Sequence, residues 1–175
     1  MCGIVGKYYF NLHQYNVSDL PGMMKIISHR GPDSSGTFKD GVVAIGFQRL
    51  SIIDVNTGNQ PLYNETGKIV LVANGEIYNF KELRATLQSS GHIFRTKTDC
   101  EVILHLYEEH GSGFVEKLNN MFAFCLYDSE KTVLTSRIGD GAVIGTCVLI
   151  TKDVPPNMMA KGMPSKFYEM DEKKY

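Results

Sequence analysis

Strand-like segments occur in groups along this chain instead of alternating with helices, and this order most constrains the fold. β-Branched and aromatic residues predict strands over 3–10, 42–47, 50–54 and 68–73, and a hairpin of 121–127 with 131–137. Helically spaced apolar residues predict helices from Ser18 to about Ser28, from Asn79 to Gly91, and from Thr98-Asp99 to Gly111. A parallel βαβ sheet requires regular alternation, so the order favours an α+β fold with a layered αββα core.

Turn-forming residues separate these elements. The run from Arg30 to Gly36 is rich in glycine, proline and serine and is predicted to be a loop. Asn74-Gly75 is a turn dipeptide and is expected to end the strand 68–73. Asn79 with Glu82 three residues later has the spacing of a capping box at the start of a helix.

Composition excludes several classes of protein. The 175 residues allow one domain, or one domain with an appendage, and the 18 Lys and Arg against 19 Asp and Glu give a net charge of −1. A near-neutral balance argues against a nucleic-acid partner or a polybasic membrane surface. No apolar run reaches the roughly 18 residues of a membrane span, and no secretory leader precedes the first strand. We therefore expect a cytoplasmic protein without membrane contact.

Cysteines and histidines are scattered without metal-ligand spacing. The four cysteines form no C-x-x-C pair, and the five histidines form no H-E-x-x-H motif. The sequence therefore predicts free thiols, no bound metal and no cofactor in this chain.

Cys2 is the strongest candidate for a reactive residue. A small second residue permits removal of Met1, which leaves Cys2 with a free α-amine. An α-amine has an ordinary pKa of about 7.7–8.0, so near neutral pH it can accept the thiol proton. The thiolate can then attack an amide carbonyl and form an acyl-enzyme. Taken alone, a cysteine at this position could also be accidental.

Five ordered motifs remove that ambiguity, because together they resemble one family. They are Met1-Cys2-Gly3-Ile4-Val5-Gly6, Arg30-Gly31-Pro32-Asp33, Arg49-Leu50-Ser51-Ile52-Ile53-Asp54, Asn74-Gly75-Glu76-Ile77-Tyr78-Asn79 and Thr98-Asp99-Cys100-Glu101. This set resembles the class II glutamine amidotransferase domain of glutamine-hydrolysing asparagine synthetases, over residues 1–137. The resemblance implies the N-terminal-nucleophile αββα sandwich, in agreement with the element order.

The resemblance also implies a role for each matched residue. Cys2, Asn74 and Gly75 would be catalytic, the last two as donors to an oxyanion, although Asn-Gly could be merely a turn. The glutamine substrate would be bound by Arg49, Leu50, Ile53, Asn74, Gly75, Glu76 and Asp99. Arg49 offers a fork for the α-carboxylate, or alternatively a structural ion pair. Glu76 and Asp99 would recognise the α-ammonium group, although Asp99 could instead be only a helix N-cap.

Four further residues in or near the motifs have non-catalytic interpretations. Arg30 and Asp33 are expected to be loop scaffolding beside the nucleophile. Cys100 stands where the family usually has serine, and Cys125 lies in a core strand, so both are expected to be packing residues.

The pattern changes at residue 138. Ile138, Ile144 and Ile150 recur every six positions, and the segment 138–175 resembles the end of a hexapeptide-repeat acyltransferase. One or two coils do not make a stable solenoid, and no catalytic histidine segment lies upstream, so acyl transfer is not expected. The sequence thus predicts an amidotransferase domain over 1–137, incomplete at its C-terminal end, with a β-helix-like tail that packs poorly on it.

The leading functional hypothesis is the glutaminase half of an asparagine synthetase-like enzyme. The Ser-Gly-Gly-x-Asp-Ser loop of the ATP-dependent synthetase domain is absent, so ATP and Mg would belong only to that missing domain. Expected partners are glutamine and a synthetase protein or a second copy of the chain. The alternative is an inactive fused remnant that binds glutamine or a partner without turnover.

Overall fold

The computed structural model describes residues 2–9, 16–52, 54 and 57–138. The strands are β1 (Gly3–Tyr8), β2 (Ser34–Asp40), β3 (Val43–Arg49), β4 (Leu62–Tyr63), β5 (Ile69–Ile77), β6 (Asn120–Asp128) and β7 (Val133–Ile138). The α-helices are α1 (Leu20–Ile26), α2 (Phe80–Ser89) and α3 (Val102–His110), with 3-10 helices at Ser28–Arg30, Asp99–Glu101 and Gly111–Lys117. The tail predicted over 138–175 lies, except for residue 138, outside the described residues.

Two antiparallel sheets organise these elements. The first has the order β1-β3-β2, and the second has the order β4-β5-β6-β7. In the first, β1 runs against β3 with Gly3 opposite Gln48. In the second, β5 runs against β6 with Asn74 opposite Ala123 and Gly75 opposite Phe122. The mixed α+β class predicted from the element order is therefore confirmed.

Three apolar cores fill the spaces between the elements. Residues of α1, including Leu20 and Met24, pack on the outer face of the first sheet. The inner faces of the two sheets meet through residues such as Phe47 and Tyr127. Helices α2 and α3 cover the other face of the second sheet, where Ile103 is among the buried residues. Within the described part of the chain, no helix is long and apolar enough to cross a membrane.

Three local predictions are wrong. Residues 34–36 belong to β2 and not to a loop, because Ser34 pairs with Arg49 across the sheet. The described residues of 50–54 are not a strand, since β3 takes the chain only as far as Arg49. Ser18 does not cap the first helix, whose N-cap is Asp19.

Asn79 also does not form the predicted capping box. It is the N-cap of α2 by position, but its side chain makes no capping hydrogen bond. Instead its Oδ1 accepts from the Asn119 backbone N–H at 3.0 Å and its Nδ2 donates to the Lys117 carbonyl at 2.9 Å. The side chain therefore joins the start of α2 to the segment that leads into β6.

The prediction that Asn74-Gly75 forms a turn is also wrong. Both residues lie inside β5, which continues to Ile77. The missing side chain of Gly75 explains why this dipeptide stays in the strand: a Cβ there would lie 2.3 Å from the Met121 carbonyl oxygen and 2.6 Å from the Phe122 Cα. Close approach of the β6 backbone therefore requires glycine at this position.

Gly75→Ala is expected to destabilise the fold. The added methyl group must push β6 away from β5, an overpacking effect that costs about 1–3 kcal/mol. Urea unfolding should show a lower midpoint. Gly113→Ala is the matched control, because a Cβ at Gly113 would have nothing within 4 Å. Equal midpoints for the two variants would contradict the close-approach argument.

Candidate active site

Cys2 lies at the end of the core between the two sheets, immediately before β1. Its backbone nitrogen donates to Asn74 Oδ1 at 3.1 Å. Its sulfur accepts from the Leu50 N–H at 3.3 Å, and the thiol faces the Leu50 carbonyl oxygen at 3.5 Å. The sulfur and the backbone nitrogen of Cys2 are thus held by two different segments, one following β3 and one in β5.

The Arg30–Asp33 motif holds the backbone beside Cys2. Arg30 Nε donates to the Cys2 carbonyl at 3.2 Å, and Asp33 Oδ2 accepts from the Ser51 N–H at 2.7 Å. A Cβ at Gly31 would lie 2.4 Å from the Gln48 carbonyl oxygen, so glycine lets this motif lie directly against β3. These contacts fix the positions of residue 2 and of the chain that follows Arg49.

Arg49 is buried at the end of β3, with 5% of its surface exposed. Its guanidinium donates from Nη1 to Asn59 Oδ1 at 3.0 Å and from Nη2 to the Asp54 carbonyl at 2.6 Å. A Cβ at Gly58 would lie 2.7 Å from Nη2. Arg49 therefore holds Asp54 and Asn59 beside the end of β3.

The Asp54 side chain connects this part of the chain to Lys97, which precedes the 3-10 helix Asp99–Glu101. Burial by itself raises the pKa of Asp54, but hydrogen bonds from Thr57 and the Lys97 backbone, with the Arg49 charge, lower it overall. The Lys97 N–H lies 2.8 Å from Asp54 Oδ2. Ile53, predicted to contact substrate, lies outside the described residues.

Gln60 fixes the strand that carries Asn74. Its Oε1 accepts from the Ala73 N–H at 2.6 Å and its Nε2 donates to the Ala73 carbonyl at 2.8 Å. The amide thus pairs with Ala73 as another strand would. The next residue, Asn74, is half-buried, and among the described residues its Nδ2 has no hydrogen-bond partner. This nitrogen is available to donate to a ligand.

The two predicted acidic residues differ in environment. Glu76 is exposed near the end of β5. Asp99 is buried, and its Oδ2 accepts from the Ile77 N–H at 2.7 Å. Asp99 does not act as the N-cap of α3, which begins at Val102. Its carboxylate instead fixes the C-terminal end of β5.

Cys100 lies within electrostatic range of both Asp99 and Cys2. Burial raises the pKa of the Cys100 thiol well above its usual value, and electrostatic interactions with Asp99 and Cys2 raise it further. Such a thiol stays protonated near neutral pH and is a poor nucleophile. Cys100 is therefore distinguished from Cys2 by burial, although the two lie within electrostatic range.

The structure thus brings Cys2, Leu50 and Asn74 into direct contact, with Arg49 and Gly75 as their chain neighbours. Residues 1–140 match the family described as "Glutamine amidotransferase domain". The chain belongs to this family. The sequence-based family assignment is confirmed for the amidotransferase domain, and the match extends three residues beyond the predicted boundary at 137.

Relatives of the amidotransferase domain include asparagine synthetases. Asparagine synthetase [glutamine-hydrolyzing] 2 of Bacillus subtilis (strain 168) is 46% identical over 136 residues, which are 75% of this chain and 18% of the relative. The asparagine synthetase [glutamine-hydrolyzing] of Sandersonia aurantiaca is 54% identical over 104 residues, which are 59% of this chain and 19% of the relative. The chain therefore spans about a fifth of the length of these relatives.

A solved structure shares the fold. Glutamine phosphoribosylpyrophosphate amidotransferase from B. subtilis, in complex with ADP and GMP, superposes with a TM-score of 0.53 at 20% identity. The match covers 73% of this chain and 35% of that one. At this identity the likeness concerns the fold alone.

Sequence reasoning missed two residues that support the candidate site. Asn59 supports the Arg49 guanidinium and Gln60 supports the Asn74 strand, yet both were part of an unassigned polar stretch. Their position between a motif and the short strand β4 is only weak evidence in the sequence for a role in the site. Only the pairing of β4 with β5 brings Gln60 alongside Ala73.

Proposed function

We propose that this domain hydrolyses the side-chain amide of glutamine through an acyl-enzyme on Cys2. The observation that carries the proposal is the arrangement around Cys2, whose nitrogen is hydrogen-bonded to Asn74 at 3.1 Å and whose sulfur contacts the Leu50 backbone at 3.3 Å. In an N-terminal-nucleophile enzyme these two atoms of one residue are the base and the nucleophile. The layered packing of two sheets between helices supports this assignment.

In the proposed reaction, removal of Met1 makes the Cys2 nitrogen an amine. The amine takes the thiol proton, and the sulfur attacks the amide carbon to form a tetrahedral oxyanion. Asn74 Nδ2 and the Gly75 N–H donate to that oxyanion. The C–N bond then breaks, the proton passes to the leaving nitrogen as ammonia, and water hydrolyses the thioester to glutamate.

The remaining site residues are proposed to hold the amino-acid end of glutamine. Arg49 binds the α-carboxylate, while Glu76 and Asp99 recognise the α-ammonium group. Leu50 and Ile53 lie along the substrate. The burial of Arg49 beside the Cys2 contact at Leu50 supports this arrangement, because a charge-assisted hydrogen bond is strongest where water is excluded.

The ammonia is proposed to serve asparagine synthesis in a synthetase part that this chain does not contain. The names of the relatives support this acceptor. ATP and Mg would act in that part, and this domain would require neither.

Release of ammonia from glutamine labelled with ¹⁵N in the side-chain amide tests the proposal. Protein equimolar with substrate makes even a slow single turnover visible by mass spectrometry of glutamate. We expect glutamate and labelled ammonia in equal amounts, with none from asparagine. Glutamine binding by calorimetry without any glutamate would overturn the hydrolase proposal in favour of a binding protein.

Arg49→Lys is expected to weaken glutamine binding more than conservation of charge suggests. An ammonium cannot make the planar two-point contact with a carboxylate, and losing a charge-assisted contact costs about 1.5–3 kcal/mol, or roughly one to two orders of magnitude in affinity. Calorimetry with Cys2→Ala protein measures binding without turnover. Asn59→Ala is the matched control, because it removes the Asn59 support of Arg49 and keeps the guanidinium. An equal loss in both variants would show that Arg49 acts only by positioning Asp54 and Asn59.

A further inference from the structure

Two histidines and two glutamates from three separate segments meet beside the turn between β4 and β5. They form the His–Glu cluster: Glu65, His92, His105 and Glu108. Glu65 lies in the turn before β5, His92 follows α2, and His105 and Glu108 lie on α3. One ligand atom from each lies within 4.8 Å of all the others. We propose that the His–Glu cluster binds a zinc ion.

The distances within the His–Glu cluster fit a tetrahedral ion. His92 Nδ1 lies 3.3 Å from Glu65 Oε1 and 3.6 Å from Glu108 Oε2. His105 Nδ1 lies 3.5 Å from the other Glu65 oxygen, Oε2, and 3.0 Å from Glu108 Oε2. Zinc bonds of about 2.0–2.1 Å to nitrogen and oxygen place neighbouring tetrahedral ligands about 3.3 Å apart. The cluster therefore needs only small side-chain adjustments to coordinate zinc.

In both histidines, Nδ1 faces the centre of the cluster, and Nε2 faces a carboxylate outside it. His92 Nε2 lies 3.0 Å from Glu109 Oε1. His105 Nε2 lies 3.9 Å from Glu101 Oε1 and, although buried, has no hydrogen-bond partner among the described residues. A ligating histidine typically donates its other ring N–H to a carboxylate, which fixes the ring orientation. Glu109 supplies that outer carboxylate for His92, whereas Glu101 must move closer to serve His105 in the same way.

The glutamate ligands are also oriented. Asn64 Nδ2 donates to Glu108 Oε1 at 2.7 Å, which leaves Oε2 toward the histidines. The Ile93 N–H donates to Glu65 Oε1 at 2.9 Å. Each ligand side chain therefore has a defined geometry before any ion binds, which reduces the entropy that binding must overcome.

Charge favours a cation at this place. Among the described residues, the carboxylates that face these histidines form ion pairs with the two rings and with no lysine or arginine. Glu108 also lies in the last turn of α3, where the helix dipole is negative.

The proposed ion is structural. Four protein ligands close the tetrahedron and leave no position for substrate. The cluster lies before the start of β5, and Asn74 is five residues beyond Ile69, about 17 Å along the strand. Zinc would therefore bind the turn before β5, the loop after α2 and helix α3 to one another. The sequence predicts no metal because these ligands come from segments without a recognisable spacing.

Zinc titration of the untagged full chain against a chromophoric chelator tests the proposal. Cys2→Ala as the background removes the half-buried thiol as a competing ligand. We expect one zinc per chain, with affinity reduced roughly tenfold or more in both His92→Gln and Glu108→Gln. His110→Gln is the matched control, because His110 ends the same helix but is exposed and outside the cluster. No stoichiometric binding, or equal affinity in the control and the cluster variants, would overturn the proposal.

A measurement on the unsubstituted cluster avoids dependence on variants that fold poorly. Diethyl pyrocarbonate modifies accessible histidines, and peptide mass spectrometry gives the rate at each one. We expect zinc to slow modification of His92 and to leave His29 and His110 unchanged. Co²⁺ in place of zinc should give the intense visible absorption of a tetrahedral site. An unprotected His92 together with an octahedral cobalt spectrum would show that the cluster is only an ion-pair network.

Discussion

Replacement of Cys2 by alanine is expected to abolish glutamine hydrolysis, with a loss of at least about 10³-fold in rate. The reason is that alanine keeps the α-amine base of the proposed reaction but lacks the sulfur nucleophile, so no acyl-enzyme can form at residue 2. The measurement is labelled-ammonia release under single-turnover conditions. A glutamine analogue with a diazo-ketone group should also add one label to the wild-type chain, at Cys2, as read by intact and peptide mass.

Cys100→Ser is the matched control for the thiol. Cys100 is buried within electrostatic range of Cys2, and its raised pKa keeps it protonated. The control variant should therefore retain labelling at Cys2. A wild-type chain that keeps Met1, or a label on Cys100, Cys125 or Cys147, would contradict the assignment of the nucleophile.

Replacement of Asn74 by alanine is expected to lower kcat about 10²–10³-fold with little change in glutamine affinity. Loss of one oxyanion donor typically has an effect of this size, because the donor acts on charge that develops only in the transition state. Steady-state or single-turnover rates at saturating glutamine measure it. The structure supports the role through Nδ2, which has no hydrogen-bond partner among the described residues.

Asn74→Asp separates this role from a structural one. Aspartate keeps an oxygen that can accept from the Cys2 nitrogen, as Oδ1 does at 3.1 Å, but it loses the donor. If Asn74 acts as an oxyanion donor, the aspartate variant should be at least as slow as the alanine variant. Near-normal activity in the aspartate variant would mean that Asn74 only orients Cys2.

Local sequence patterns predicted the elements that a single segment determines. The apolar runs in β5 and β6 and the apolar stripe of α3 gave the core of the second sheet, because burial on one face leaves a periodic pattern. Boundaries that depend on another segment were missed. The local preference of Asn74-Gly75 is to form a turn. In the fold, however, this dipeptide lies in a strand, where the close backbone of β6 at Met121 and Phe122 requires glycine.

The residues of the candidate site also divide into those that the sequence identified and those that it did not. The motif residues Cys2, Leu50 and Asn74 were identified by resemblance, and the structure brings them into contact. The supports of that contact were not identified, since Asn59 and Gln60 act through partners that are not adjacent in sequence. Asp99 has the local preference of a helix cap, yet its carboxylate accepts the N–H of Ile77, which is 22 residues away.

The contact between Cys2 and Asn74 crosses from one sheet to the other, and this has a consequence for synthesis of the chain on the ribosome. Cys2 leaves the exit tunnel before Asn74, which accepts a hydrogen bond from its nitrogen and is encoded 72 positions later. The nascent chain therefore carries an unassembled thiol until β5 has emerged and the two sheets have docked. Labelling of Cys2 by the glutamine analogue on stalled nascent chains of increasing length would report the moment at which the interface between the sheets closes.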